Sequence, residues 1–344
     1  MYSSFVKKFF IYSVSGVLFI LFLNFIVDPF DMHSLTLYQG FNHAKQNTAE
    51  RLTVALNLTQ KKPKTIVLGT SRVKAFTQKD LIEITNEEEV YNAGFAGAGF
   101  DEMYYYFLHA LHVQPDLKKV ILGIDLFSFN EKRKPQPDFS RDRLQKKGFR
   151  FKDFKDCLFS YNSLAASCRS LYESSFSRYK SNPILEMGEK NYLAQMLGSV
   201  ENYKDYRLDQ AKIKQFESIV ALCKEKGIEL KVFICPVKAM YWEFYFQNGL
   251  WKPLEQLKRQ LCSTHPIWDF SGYNSITTET LDSGAIPLYA ECSHFTSYVS
   301  RLLLKRMYSQ PSSIDSIGHL LTPDTVEEAL TVILDDRLEW VKKN

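Results

Sequence analysis

Short apolar runs alternate with segments of helical period through most of this chain, and that alternation narrows the fold more than any other feature. Strands are expected at 64–68, 89–91, 119–124, 229–235 and 266–270. Between and after them, helical patterns are expected at 73–84, 100–113, 211–226, 250–261 and 297–307. Their ends carry ordinary stop signals: Pro115 closes one helix, Gly227 the next, and Pro236 ends a strand. Strands that alternate with helices pair side by side and in parallel, with helices on both faces of the sheet.

A chain of 344 residues can bury a full core. Its net charge of +4 is small for that length, and no basic repeat or nucleic-acid motif occurs, so nucleic acid is not an expected partner. The N-terminus adds a different constraint. Residues 9–27 are nearly all apolar and follow Lys7 and Lys8, and Asp28-Pro29 closes the run. A helix of ~20 such residues spans a bilayer core. The lysines put residues 1–8 in the cytoplasm and the bulk of the chain on the extracytoplasmic, periplasmic side of the inner membrane. A cleaved signal peptide is the competing reading, but the run is long and no small-x-small cleavage site follows. A buried core helix is a third reading, and it fits poorly with apolar residues on every face.

The expected organisation is a cytoplasmic 1–8, a single-pass signal anchor 9–27, an α/β domain 28–310 and a helical tail 311–344. A first helix is expected from Asn47 to Leu58. The alternation breaks at about 130–210, where a charged, proline-containing and partly helical insertion is expected. In the tail, Thr322 suits a cap, Pro323 a first turn, and Val326, Leu330, Ile333, Leu334 and Leu338 one apolar stripe. The six cysteines contain no Cys-x-x-Cys pair, and their spacing fixes no disulfide. His109 and His112 lie one helical turn apart without an evident third ligand, so no metal and no cofactor is expected. His33, His43, His265 and His319 stand in no motif.

Two short segments carry the chemistry. Ser71 ends Ile66-Val67-Leu68-Gly69-Thr70-Ser71-Arg72, an apolar strand that runs into a Gly-x-Ser turn. The C-terminal end of a strand is where α/β sheets place ligands. A serine there is either a nucleophile or a helix cap, and a nucleophile needs a base within reach. His294, with Glu291 three residues before it, supplies a base and a carboxylate to orient it. The loop 92–99 holds Gly94, Gly97 and Gly99 after a strand. It is not a dinucleotide fingerprint, and it reads equally as a ligand-approach loop or a tight turn.

In this order the segments resemble the SGNH/GDSL hydrolase superfamily, and in particular its membrane-anchored envelope branch, which includes the alginate O-acetylation proteins and the D-alanyl-lipoteichoic acid D protein. Gly69-Thr70-Ser71-Arg72 is similar to the first block, Asn92-Ala93-Gly94-Phe95-Ala96-Gly97 to the second, and Glu291-Cys292-Ser293-His294 to the last; Trp268-Asp269-Phe270-Ser271 also resembles this branch. The resemblance covers the anchor and roughly 64–125 and 211–307. It implies a three-layer α/β/α sandwich with a flavodoxin-like parallel sheet. It implies Ser71 as nucleophile, His294 as base, Glu291 as orienting acid, and Gly97 as an oxyanion donor, with Asn92, Arg72 and Asp125 as further substrate-binding or oxyanion positions. The expected activity is an extracytoplasmic O-acetyltransferase or acetylesterase acting on an envelope polysaccharide or glycolipid, with a membrane-bound O-acyltransferase as a partner.

Two departures separate this chain from the pattern. Glu291 stands where the family has Asp. Gly123-Ile124-Asp125-Leu126 stands where secreted members have Gly-x-Asn-Asp, and an ionised Asp cannot donate to an oxyanion. These departures motivate a second expectation from another class, an inactive binding or assembly component of an envelope glycan pathway. A soluble-type lipase or thioesterase is a third, disfavoured by the anchor.

Overall fold

The computed structural model describes residues 2–32, 41–42, 44–46, 49–144, 151–176, 200–279, 287–309 and 317–344. Asn47, His33, His43 and parts of the expected insertion and tail lie outside them. The chain forms two compact units, residues 1–60 with 138–181, and residues 61–137 with 182–344.

The larger unit is built on a six-stranded sheet in the order β2-β1-β3-β4-β5-β6. The strands are β1 (Thr65–Leu68), β2 (Val90–Asn92), β3 (Lys119–Ile124), β4 (Glu229–Ile234), β5 (Ile267–Asp269) and β6 (His319–Leu321). The first five run parallel and β6 runs antiparallel to β5. All four residues of β1 are buried, as a strand covered on both faces requires. One face of the sheet presents Val67, Ile121 and Phe233 to a core shared with Leu81, Ile84, Val299, Leu302 and Leu303 of the helices Gln78–Thr85 and Ser297–Met307. By the two-residue alternation of a strand, Ile66, Leu68, Val120, Leu122 and Val232 face the other way. On that side the helix Gln210–Lys226 contacts β4 and packs against Phe100–Val113 and Trp251–Cys262.

The local signals explain the helix ends. Thr77 caps the helix Gln78–Thr85 by accepting from the Asp80 amide at 3.1 Å. Asp209 caps Gln210–Lys226, and Gly227 closes it at φ +66°, where its amide returns to the carbonyls of Cys223 and Lys224.

The smaller unit is helical. It contains Tyr2–Val27, residues 50–60 of the helix Glu50–Lys61, and the helices Arg141–Leu144, Phe151–Leu158 and Tyr161–Phe176. Phe30, Met32, Leu52, Leu56, Cys157, Leu158 and Ala166 form its core. Within the first helix, Ser4–Val27 is long and apolar enough to cross a membrane. Its residues 4–19 are uncovered, and protein packs against it from residue 20 onward.

The expected organisation and the structure differ at several points. Residues 138–181 interrupt the larger unit, inside the expected insertion at about 130–210, and the described residues among them pack with the N-terminal helices. The α/β unit does not begin at residue 28. The tail is not a separate element either. Its His319–Leu321 forms β6, and the helix that follows starts at Val326, after Thr325, rather than at Pro323. That helix, Val326–Lys343, contacts Trp251–Cys262 and buries Val326, Ala329, Leu330 and Ile333, while Leu338 of the expected stripe is exposed. The expected helix at 73–84 is a 3-10 turn, Ser71–Ala75, followed by the helix Gln78–Thr85.

Candidate active site

Ser71 is placed by a wedge. After β1 the chain passes Gly69 and the extended Thr70 and enters the 3-10 turn at Ser71. Two residues later, Val73 is fully buried between the ends of three sheet segments. A Cβ on Gly69, Gly94 or Gly123 would lie 2.5, 2.5 or 2.4 Å from a Val73 methyl. Glycine is needed at these positions for room, and close packing in a core leaves little slack. Asn92 ties the neighbouring loop to the same turn. Its Nδ2 donates to the carbonyls of Val73 at 2.7 Å and Phe76 at 3.0 Å, and its Oδ1 accepts from the Gly94 amide at 3.0 Å.

Beneath the serine, Arg72 turns inward onto Asp125. Both side chains are buried, and the Arg72 guanidinium donates to the Asp125 carboxylate. Thr70 donates its hydroxyl to the other Asp125 oxygen at 2.5 Å and accepts from the Arg72 amide at 3.3 Å. The guanidinium also lies over the rings of Phe127 and Tyr241, at 5.9 and 5.6 Å. Burial opposes its charge, but Asp125 outweighs burial and holds Arg72 firmly protonated. The resemblance gave Arg72, Asp125 and Asn92 substrate-binding or oxyanion positions; in the structure Arg72 and Asp125 bond one another beneath the serine, and Asn92 braces the serine turn.

The base arrives from the far side of the sequence. Between Leu288 and Thr296 the chain makes a tight loop, closed by hydrogen bonds from the Ala290 amide to the His294 carbonyl (2.8 Å) and from the Thr296 amide to the Leu288 carbonyl (2.9 Å). The Lys238 amide donates to the Cys292 carbonyl at 2.9 Å and so anchors the loop to the segment after β4. His294 Nε2 lies 2.7 Å from Ser71 Oγ, and its Nδ1 is hydrogen-bonded to Glu291 Oε1.

Glu291 is buried and well supplied with donors. It accepts from the Ser293 amide at 2.9 Å, the Ser293 hydroxyl at 2.9 Å and the Cys292 thiol at 3.3 Å, as well as from His294. Burial raises its pKa, but the His294 hydrogen bond and charge and the Ser293 donors outweigh this and bring the carboxyl down to about 2. Burial, helped by the charge of Glu291, pushes the Cys292 thiol up to about 12, so it remains a donor. The arrangement is a serine, a histidine that can take its proton, and an ionised carboxylate that sets the histidine tautomer. Sequence reasoning missed Ser293, Cys292 and Thr70. The first two sit between Glu291 and His294, and polar groups at those positions were the available signal.

Gly97 adopts φ +60°, and its carbonyl accepts from the Arg133 guanidinium. An added Cβ would lie 2.6 Å from that guanidinium and displace it, and the positive φ itself strains any L side chain. Neither the Ser71 nor the Gly97 amide donates to a protein group among the described residues. Trp268-Asp269-Phe270-Ser271 has a packing role. Asp269 and Lys258 form a fully buried pair at 2.8 Å, and Lys258 also donates to the Ser271 hydroxyl at 2.7 Å. All six cysteines are free thiols, and among the described residues no cluster of His, Cys, Asp and Glu could hold a metal ion.

No protein-family model matches this chain, and no curated protein does. Among solved structures it is similar to one described as "a putative platelet activating factor from Streptococcus pneumonia", at 12% identity over 76% of this chain and 91% of the other, with a TM-score of 0.36. A likeness at that level assigns neither fold family nor activity.

Proposed function

We propose that this chain is a membrane-anchored serine acyl-transfer enzyme of the SGNH type, working on the extracytoplasmic side of the cytoplasmic membrane. The observation that carries the reading is the 2.7 Å approach of His294 Nε2 to Ser71 Oγ, with Glu291 on the opposite ring nitrogen. The sheet order supports it, since β2-β1-β3-β4-β5 is the flavodoxin-like order and Ser71 follows β1 next to the switch between β1 and β3. Helices on both faces of the sheet agree with a three-layer α/β/α sandwich.

In this reading Ser71 Oγ attacks an ester carbonyl carbon while its proton passes to His294 Nε2. Glu291 holds the imidazole and stabilises its positive charge. The carbonyl oxygen becomes an oxyanion held by the Ser71 and Gly97 amides. Collapse breaks the ester C–O bond, and the departing alkoxide takes the proton from Nε2. The acyl group then rests on Ser71 until water or an acceptor hydroxyl reverses the sequence. The family resemblance makes an O-acetyl group on an envelope glycan or glycolipid the substrate. A membrane-bound O-acyltransferase is the partner proposed to supply acyl groups, and the lysines before the apolar run set the orientation of the anchor.

The test is intact-mass analysis of the purified full chain after a fluorophosphonate probe, beside Ser71→Ala. One adduct on the wild type and none on the variant is the expected result. A folded wild type that takes no adduct would overturn the catalytic reading. One observation favours a second reading, an inactive binding component of an envelope glycan pathway. Asp125 stands where secreted members carry an oxyanion-donating asparagine, and its carboxylate is locked by Arg72 and Thr70. Glycan binding without any serine-dependent turnover would support it.

A further inference from the structure

We infer that Arg133 is the positioning residue of the oxyanion hole: it clamps Gly97 in its positive-φ conformation and so fixes the direction of the Gly97 amide. The inference rests on the reading of Ser71 as the nucleophile and of the Ser71 and Gly97 amides as oxyanion donors.

A hole of this kind has few donors to work with. Asp125 is locked by Arg72 and Thr70, and a carboxylate donates nothing. The oxyanion then depends on two backbone amides. An amide stabilises it fully only if it already points at the charge before the reaction begins. One of the two belongs to Gly97, at φ +60°, and glycine is the residue freest to leave such a conformation.

The backbone around Gly97 is fastened group by group. The Phe95 amide donates to the Gly69 carbonyl at 3.3 Å, which ties the loop to the end of the serine strand. The Ala98 carbonyl accepts from the buried Ser128 hydroxyl at 3.0 Å, and the Gly99 carbonyl accepts from the Met103 amide at 3.3 Å. The amides of Gly99 and Gln136 donate to the two oxygens of buried Glu102 at 2.9 and 3.2 Å. For the Gly97 carbonyl the donor is Arg133.

The arginine is itself fixed. It lies along the loop, with Nη2 2.6 Å from where a Gly97 Cβ would stand and Cγ 3.6 Å from where a Gly99 Cβ would stand. Its Nη1 donates to Asn202 Oδ1, and the guanidinium rests over the Phe127 ring at 5.3 Å. Lys212 Nζ donates to the Asn130 carbonyl at 2.7 Å and to the Arg133 carbonyl at 3.5 Å, which steadies the backbone that carries it. A planar fork held on one arm by Asn202 can set the Gly97 carbonyl with the other. A charge-assisted bond is also stronger than one from a neutral donor. With its carbonyl held, Gly97 cannot turn about ψ, and its amide stays without a protein acceptor among the described residues.

The test uses the purified full chain as wild type, Arg133→Ala, Arg133→Lys and Asn202→Ala. The first readout is the rate at which a fluorophosphonate labels Ser71, with fluoride leaving. The second is the phosphorus-31 resonance of the adduct in the folded protein, measured against the same adduct in guanidinium chloride. Hydrogen bonds to the phosphonyl oxygen displace that resonance, whereas a general loss of stability does not. Arg133→Ala should label up to ~100-fold more slowly, as for a misplaced catalytic group, with its resonance moved toward the denatured position. Arg133→Lys, which keeps the cation without the fork, should fall between the two. If Arg133→Ala loses the wild-type thermal transition, Asn202→Ala is judged by the same two readouts. Wild-type rate and resonance in the folded variant overturn the inference and leave Ser71 as the nucleophile. Slower labelling with an unmoved resonance also overturns it. A folded wild type that takes no adduct overturns the acyl-transfer reading itself.

Discussion

The fold sets the protonation of Glu291 through named donors. An ordinary glutamate carboxyl titrates near 4.5, and this one is held down to about 2. Its pKa is lowered on folding, so its contribution to stability is complete above about pH 4.5 and is lost as the pH falls toward about 2. The free-energy scale is up to about 3 kcal/mol, at 1.36 kcal/mol per pH unit. Urea denaturation midpoints across that window should fall more steeply for the wild type than for Glu291→Gln, and equal slopes would contradict this account. The same shift means that Glu291 stays ionised wherever the protein is folded. An acid limb in the labelling of Ser71 should then belong to another group. Ser71, His294 and Glu291 stood out in the sequence because each lies in a short local block, and the structure brings their side chains together. The role of Arg72 and Asp125 could not, because nothing local says whether a charged side chain turns outward to a ligand or inward to a partner of opposite charge.

At the scale of elements, the serine turn depends on three glycines meeting one valine. Gly69→Ala brings a Cβ to 2.5 Å from a Val73 methyl, and the turn must move. The expected cost is ~1–3 kcal/mol, as for other overpacked cores, with slower labelling of Ser71. Adding Val73→Ala removes the clashing methyls and should restore part of the labelling rate. A double variant no faster than Gly69→Ala would show that the wedge does not set the serine. The strands β1, β3 and β4 were legible because a buried parallel strand is a run of Val, Ile and Leu. β6 was not, since His319-Leu320-Leu321 is too short to show a period. The helix Ala239–Gln247 was also missed, because its aromatic residues face several neighbours and leave no polar stripe to mark it.

At the scale of the molecule, the C-terminal segment completes the sheet. Gly318, at φ +74°, leaves room for Phe270, and Gly272, at φ +94°, leaves room for Ile333 of the last helix; a Cβ would lie 2.4 and 2.9 Å away. Removing residues 317–344 would uncover Ile267 and strip Ile317, Leu321, Val326, Leu330 and Ile333 from the core. At ~1.5–3 kcal/mol for each buried side chain, the loss rivals the ~5–15 kcal/mol that holds a domain together. The truncated chain should show no cooperative thermal transition by circular dichroism, and a wild-type-like melt would refute this. The break in the alternation at about 130–210 was readable, but not what its residues pack against. Residues 151–176 pair with the N-terminal helix through contacts such as Ser167 with Asn24, more than a hundred positions apart. Periodicity carries no information about pairing at that range.

Ser71 leaves the ribosome long before His294, which follows 223 residues later. Until β4 is in place and the Cys292 carbonyl has met the Lys238 amide, nothing holds the histidine at the serine. A half-made chain therefore carries an ordinary hydroxyl. Whatever reactivity the assembled site has is switched on only after the segment around His294 has been made, so a chain that ends before it cannot acylate itself or its surroundings.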